Sequence, residues 1–312
     1  MAFINFVLFI ISCIFIYLSA SVLVKNLAKI AQIIHLTRFT AAFIIMGVLT
    51  SLPELFVGIS SALAKNSSMG FGNIIGSNIL DITLVMGIIV LSGRGIKIKN
   101  SEVGKDSLIA IIISLIAIIL LISDKKLSEL DGIILIALFL ILSYNMLNKK
   151  TKYHHIKNEK VKKRYHLWNI VIFIISAFIL FISARFAITQ GAIISSDIGM
   201  PIFFIGIFLL SFGTALPELS FGIRAATAGY GEMSLGDQIG GIIIKSTLIL
   251  GIISIISPIV FVDEVLISVL FSVFTLLIFF LMVKTGRKIS MREGIFLILM
   301  YVIFSIIQIF LL

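Results

Sequence analysis

The sequence predicts an all-α polytopic membrane protein of ten transmembrane helices in two inverted five-helix repeats. Three observations carry this. Mean hydropathy is +1.21, with 60% hydrophobic and 13% charged residues among 312, which excludes an ordinary water-soluble fold. Apolar runs recur near the roughly 20 residues that an α-helix needs to cross about 30 Å of hydrocarbon. A seven-residue segment around a proline and a glutamate appears twice, 164 positions apart.

The spans are expected near 3-24, 39-64, 69-92, 106-123, 129-148, 167-190, 199-227, 234-257, 262-284 and 291-312. The first lacks a basic leader and exceeds the apolar part of a signal peptide, so it reads as a retained span. Its Cys13, the sole cysteine, offers neither a disulfide nor a thiolate cluster. The second and third hold Pro53 and Glu54, then the glycines Gly70, Gly72, Gly76 and Gly87 that permit close helix contact. The fourth is apolar on every face from Leu115 to Ile122, unlike the alternating strands of a barrel. The fifth closes a first half, 1-148, and a basic loop, 149-166, leads to the second half, 167-312. There the seventh span carries Pro217 and Glu218, the eighth Asp237 and Lys245, and the ninth and tenth are uniformly apolar in their centres.

Connector charge sets the orientation. Lys25, Lys29 and Arg38 follow the first span; Arg94, Lys97, Lys99 and Lys105 the third; Lys284, Arg287, Lys288 and Arg292 the ninth. The central loop adds Lys149, Lys150, Lys152, Lys157, Lys160, Lys162, Lys163 and Arg164. All four connectors fall on one side, cytoplasmic by the positive-inside rule, which places both termini outside in a multi-pass cell-membrane protein. The net charge of +10 is thereby explained by topology, and no nucleic-acid partner is expected. His154, His155 and His166 lie in the solvated loop and His35 beside a basic connector, where exposure explains them without a metal.

The repeat pairs Leu49-Thr50-Ser51-Leu52-Pro53-Glu54-Leu55 with Gly213-Thr214-Ala215-Leu216-Pro217-Glu218-Leu219. The same offset relates Gly58 to Gly222, Gly72 to Gly236, Gly76 to Gly240, Thr83 to Thr247 and Gly87 to Gly251. With an odd number of spans between copies, the second runs through the membrane in the opposite sense, a transporter signature. Each proline removes a backbone donor and frees the carbonyl four residues earlier, at Leu49 or Gly213, which hydrocarbon tolerates only beside protein, water or a bound cation. Thr50 and Glu54, like Thr214 and Glu218, are one turn apart and share a face. Asn73, Ser77 and Asp81 form a polar stripe at the same spacing. A packing seam accounts for the asparagine and serine as well as an ion site does. It does not account for the carboxylates, because a charge at mid-bilayer costs roughly 3 kcal/mol or more unless paired or hydrated.

At these residues the chain resembles the cation/calcium antiporter superfamily, and most of all the prokaryotic sodium/calcium exchangers. The motifs are Thr50-Ser51-Leu52-Pro53-Glu54 with Gly72-Asn73-Ile74-Ile75-Gly76-Ser77-Asn78, and Gly213-Thr214-Ala215-Leu216-Pro217-Glu218. The resemblance implies ten helices in inverted halves that exchange sodium for calcium by alternating access, without a cofactor and without enzymatic chemistry. It implies that Glu54 and Glu218 bind calcium, that Thr50 and Thr214 add carbonyl and hydroxyl oxygens, and that Ser51 and Ser77 belong to a sodium site. Such hard oxygen ligands suit both ions.

The second repeat departs from the pattern. Lys245 stands where an asparagine or aspartate is usual, one offset from Asp81; Asp237 replaces an asparagine, Gly241 a serine, Ile242 an asparagine, and Ala215 lacks the hydroxyl of Ser51. A weakened or absent second sodium site is therefore expected. Lys245 either forms a salt bridge with Asp81 in place of a monovalent ion or takes part in proton coupling. Sodium/calcium antiport with this modified site is the leading expectation, and coupling to protons or to fewer sodium ions the alternative. A cation channel is the remote alternative, since channels usually build a pore by oligomer symmetry whereas one chain here supplies both halves of a closed site, and no HExxH, G-x-S-x-G or nucleotide-binding loop supports an enzyme or pump. The bilayer, calcium, sodium and protons are the expected partners; the sequence does not fix an oligomeric state.

Overall fold

Long apolar helices form because hydrocarbon supplies no partner for backbone N–H and C=O groups, so each segment must satisfy its own. The computed structural model describes residues 2–33, 47–98, 102–148, 164–260, 263–286 and 288–311. The basic central connector from Lys149 to Lys163, with His154 and His155, lies outside these residues, as do His35, Arg38, Lys99, Arg287 and positions 39–46. The helices are α1 (Ala2–Ile33), α2 (Leu52–Leu63), α3 (Ser67–Ser92), α4 (Glu102–Ser123), α5 (Glu129–Asn148), α6 (Arg164–Ile198), α7 (Ile202–Thr227), α8 (Gly231–Ile256), α9 (Asp263–Thr285) and α10 (Met291–Leu311). Among the described residues, eight helical segments are long and apolar enough to cross a membrane; α2 is a shorter apolar helix.

Two helices sit at the centre. Residues of α3 and α8 are 83% and 78% buried, against 28% in α6 and 33% in α1 and α10, whose Ile14, Phe15, Phe178, Ile182, Ile303 and Phe310 face outward. The central helices also have the same length, and both their ends differ by 164 positions. Around them, α7 packs on α3 and α8, α2 on α3, α5 on α8, α10 on α3, and α4 on α9. The α1 and α6 helices pack extensively on each other and lie against α2 and α7.

Short strands tie the connectors together. β1 (Ile96–Lys97), after α3, pairs antiparallel with β4 (Lys288–Ile289), before α10. β2 (Lys126–Leu127), between α4 and α5, pairs with β3 (Ile259–Val260), between α8 and α9. The third and ninth connectors thus meet, and so do the fourth and eighth. Capping boxes start α5 and α10 at matching places: Ser128 Oγ and Asp131 exchange hydrogen bonds with one another's backbone N–H, as do Ser290 and Glu293.

Several elements differ from the sequence expectation. The first and sixth spans extend to Ile33 and Ile198; the first outruns its apolar run, whereas the sixth stays apolar to its end. At about 1.5 Å per residue, 35 residues reach about 52 Å, well past the hydrocarbon. Three π-helical stretches, Asp81–Val85, Ile205–Leu210 and Lys245–Ile249, interrupt α3, α7 and α8; two of them are one offset apart. The prolines also act unequally: Ser51 forms a turn before α2, whereas α7 runs unbroken past Pro217.

Candidate functional site

Pro53 cannot donate to the carbonyl of Leu49, and the chain before α2 continues through Ser51 N to Gly47 O at 3.1 Å and Leu55 N to Ser51 O at 3.0 Å. This local geometry brings Thr50, Ser51 and Glu54 to the inner side of the bundle, where all three are buried. Thr214 and Glu218 occupy the equivalent turn of α7, also buried. Glycine makes the approach of α3 to α7 possible: a Cβ at Gly206 would lie 2.2 Å from Met69 O, and one at Gly76 would lie 2.4 Å from Ile207 O. The polar stripe of α3 therefore faces the seventh helix directly.

Among the hydrogen bonds between the halves, two are turned into each other by the offset. Thr50 Oγ1 donates to Asp237 Oδ1 at 3.0 Å, and Thr214 Oγ1 donates to Asn73 Oδ1 at 3.2 Å. Position 237 is one offset from 73, and 214 from 50. Sequence reasoning had set Asn73 in a stripe and Asp237 among the departures without pairing either to a threonine. The repeat alone could have shown that the two pairings come together.

At the centre, Lys245 Nζ donates to Asp81 Oδ2 in an ion pair buried from both sides. Each of these residues opens a π-helical stretch, and the two are themselves one offset apart. Glu54 and Glu218 lie within electrostatic reach of each other, of Asp81 and of Lys245. All four of the glutamate oxygens lack a hydrogen-bond partner, as do Ser51 Oγ, Asp81 Oδ1 and Asp237 Oδ2. Ser77 Oγ, by contrast, donates to Ile74 O at 3.2 Å. Gly241 leaves open space, because a Cβ there would meet only Ser51 Oγ at 3.6 Å and Lys245 Cε at 3.9 Å.

The structure thus gathers every candidate residue, Thr50, Ser51, Glu54, Ser77, Asp81, Thr214, Glu218 and Lys245, on the central helices and the two proline-bearing turns. Among the described residues no three histidine, cysteine, aspartate or glutamate groups form a metal cluster. The oxygens gathered here are carboxylates together with neutral hydroxyl and amide groups. Unpartnered buried carboxylate oxygens are costly, and a hard cation is the species that satisfies several of them at once.

The sequence profile described as "Sodium/calcium exchanger protein" matches residues 4–148 and 168–310, both halves of the chain. The chain is 23% identical to the sodium/calcium exchanger MaX1 of Methanosarcina acetivorans over 97% of its own length and 98% of that protein. It is 27% identical to an uncharacterized membrane protein of Methanocaldococcus jannaschii, over 95% of each. Among solved structures, the sodium-calcium exchanger NCX_Mj at 10 mM Na+ and zero Ca2+ superposes with a TM-score of 0.66 at 25% identity, covering 97% of this chain and 98% of that one. Profile, relatives and fold agree across nearly the full length, and the chain belongs to the sodium/calcium exchanger family of membrane transport proteins.

Proposed function

We propose that this protein is a secondary antiporter that exchanges sodium for calcium across a cell membrane by alternating access. The observation that carries the reading is the pair of buried glutamates, Glu54 and Glu218, whose carboxylate oxygens have no partner in the centre of the bundle. Calcium takes 6–8 oxygens at about 2.3–2.6 Å. Glu54 and Glu218 supply the charged ones; Thr50 and Thr214 add hydroxyl and carbonyl oxygens. Ser51 and Ser77 serve a sodium subsite on the side of the first repeat, while Gly241 removes the hydroxyl its counterpart would have contributed.

The architecture we assign is ten spans in two inverted halves, 1-148 and 167-312, joined by the basic loop 149-166, with both termini outside. Matching boundaries of α3 and α8, the mirrored threonine hydrogen bonds and the interchange of β1–β4 with β2–β3 support it. Such a two-fold arrangement offers one site to either side in turn. The buried Lys245–Asp81 pair favours a variant of this reading in which fewer sodium ions accompany each turnover.

Calcium flux in proteoliposomes under imposed sodium, potassium and proton gradients tests the assignment. Uptake driven by an outward sodium gradient, saturating with calcium and abolished by Glu54→Gln, is the expected result. Release of calcium that follows a proton gradient and ignores sodium would move the coupling to protons.

A further inference from the structure

We infer that Asp237 is the charged ligand of a monovalent-cation site: its free carboxylate oxygen and Ser51 Oγ border the gap that Gly241 leaves, and a sodium ion seats there. This rests on the antiport reading above and deepens it, because it draws the sodium subsite at Ser51 across to the second half.

The two halves do one job with different chemistry. Asn73 and Asp237 stand one offset apart, and each accepts a hydrogen bond from the threonine of the other half, at 3.2 Å from Thr214 and 3.0 Å from Thr50. An amide suffices for that job at position 73, so holding Thr50 does not by itself call for a carboxylate at 237. What the aspartate changes is the second atom. Asn73 leaves Nδ2, a donor, buried without a partner, whereas Asp237 leaves Oδ2, an acceptor. A cation is repelled by the first and bound by the second.

The gap lies beside that oxygen. Gly241 is one turn beyond Asp237 on α8 and shares its face. Ser51 follows Thr50, which bonds to Oδ1 of the same carboxylate. A Cβ at Gly241 would meet nothing nearer than Ser51 Oγ at 3.6 Å and Lys245 Cε at 3.9 Å, whereas the mirrored place holds Ser77 with its hydroxyl on Ile74 O. Ser51 Oγ is itself buried and without a partner. One gap is thus bordered by two orphaned oxygens, one from each half, and leaving them bare is costly.

Charge selects the occupant. Glu218, Asp81 and Lys245 lie within electrostatic reach of Asp237, so the surroundings are acidic on balance and draw a cation. A calcium ion needs 6–8 oxygens, which this gap does not gather, and one carboxylate oxygen beside a hydroxyl matches a single positive charge.

Equilibrium binding of radiolabelled sodium and radiolabelled calcium to the purified chain in detergent tests this without relying on transport. Asp237→Asn keeps an acceptor for Thr50 and removes the charged oxygen; it should weaken sodium binding about tenfold or more and leave calcium binding unchanged. Gly241→Val fills the gap without changing any charge and should weaken sodium binding in the same way, which keeps the inference testable where Asp237→Asn does not fold. Wild-type sodium affinity in either folded variant overturns the inference and leaves antiport intact. A parallel loss of sodium and calcium binding overturns it as well, since Asp237 would then act through Thr50 alone. A wild type that binds calcium and no sodium also overturns it, giving the gap to water and the coupling to another ion. Failure to bind either ion removes the antiport reading too.

Discussion

A carboxylate in the middle of a membrane protein survives as a charge only where something cationic meets it, and this chain provides two different answers. For Asp81 the answer is Lys245, an ion-pair partner carried by the chain itself, with both side chains buried. Replacing Lys245 with methionine strands the aspartate, and breaking a buried pair from one side costs about 3–5 kcal/mol. Thermal denaturation in detergent should show a large loss of stability for Lys245→Met, most of it recovered in the double variant with Asp81→Asn. A double variant no better than the single one would mean that the pair is not coupled. For Glu54 and Glu218 we propose that the answer is a bound cation. Calcium at 100 times its dissociation constant should stabilise the wild type by about 2.7 kcal/mol, read as a rise in Tm, and should leave Glu54→Gln/Glu218→Gln unmoved. These residues were legible in the sequence because proline, threonine and glutamate recur at a fixed spacing inside apolar runs. Their partners were not, since a hydrogen bond between Thr50 and Asp237 depends on how two helices face each other.

Helices in hydrocarbon gain little from the hydrophobic effect on one another and rely on close packing, which explains the glycines between α3 and α7. Gly206→Ala would drive a methyl group into Met69 O and Asn73 N, both backbone atoms that cannot step aside. Overpacking of this kind costs typically about 1–3 kcal/mol, whereas Gly104→Ala meets nothing within 4 Å and should be silent. Melting curves of the two variants check the difference; equal values would show that α3 and α7 are not in close contact. Span positions were readable from hydropathy, because the thickness of the bilayer dictates their length. The three π-helical stretches were not, since they leave no mark on local hydrophobicity. π-helical turns often accompany functional sites, and here two of them begin at the ion-paired residues.

For the whole molecule, the offset of 164 does more than align motifs. It relates α3 to α8 and one threonine hydrogen bond to the other, and the strands correspond at the nearby offsets of 163 (β1 to β3) and 162 (β2 to β4). An inverted arrangement requires the two strand pairs to lie on opposite faces of the membrane. Lys126→Cys and Val260→Cys should react with a membrane-impermeant thiol reagent added to intact cells, and Lys97→Cys and Lys288→Cys only after permeabilisation, in a Cys13→Ser background. Labelling of all four from one side would remove the inverted topology. This expectation comes from the connector charges, because basic residues are retained on the cytoplasmic face.

Calcium antiport by this protein requires a divalent cation lying between Glu54 and Glu218. Strontium scatters anomalously and mimics calcium, so crystals of the protein grown with it give a direct reading. The predicted result is a single strong anomalous peak with oxygens of Glu54, Glu218, Thr50 and Thr214 at about 2.3–2.6 Å, the range for calcium-like coordination. A map with no peak there, or with the cation bound elsewhere while both glutamates stay unliganded, would contradict it.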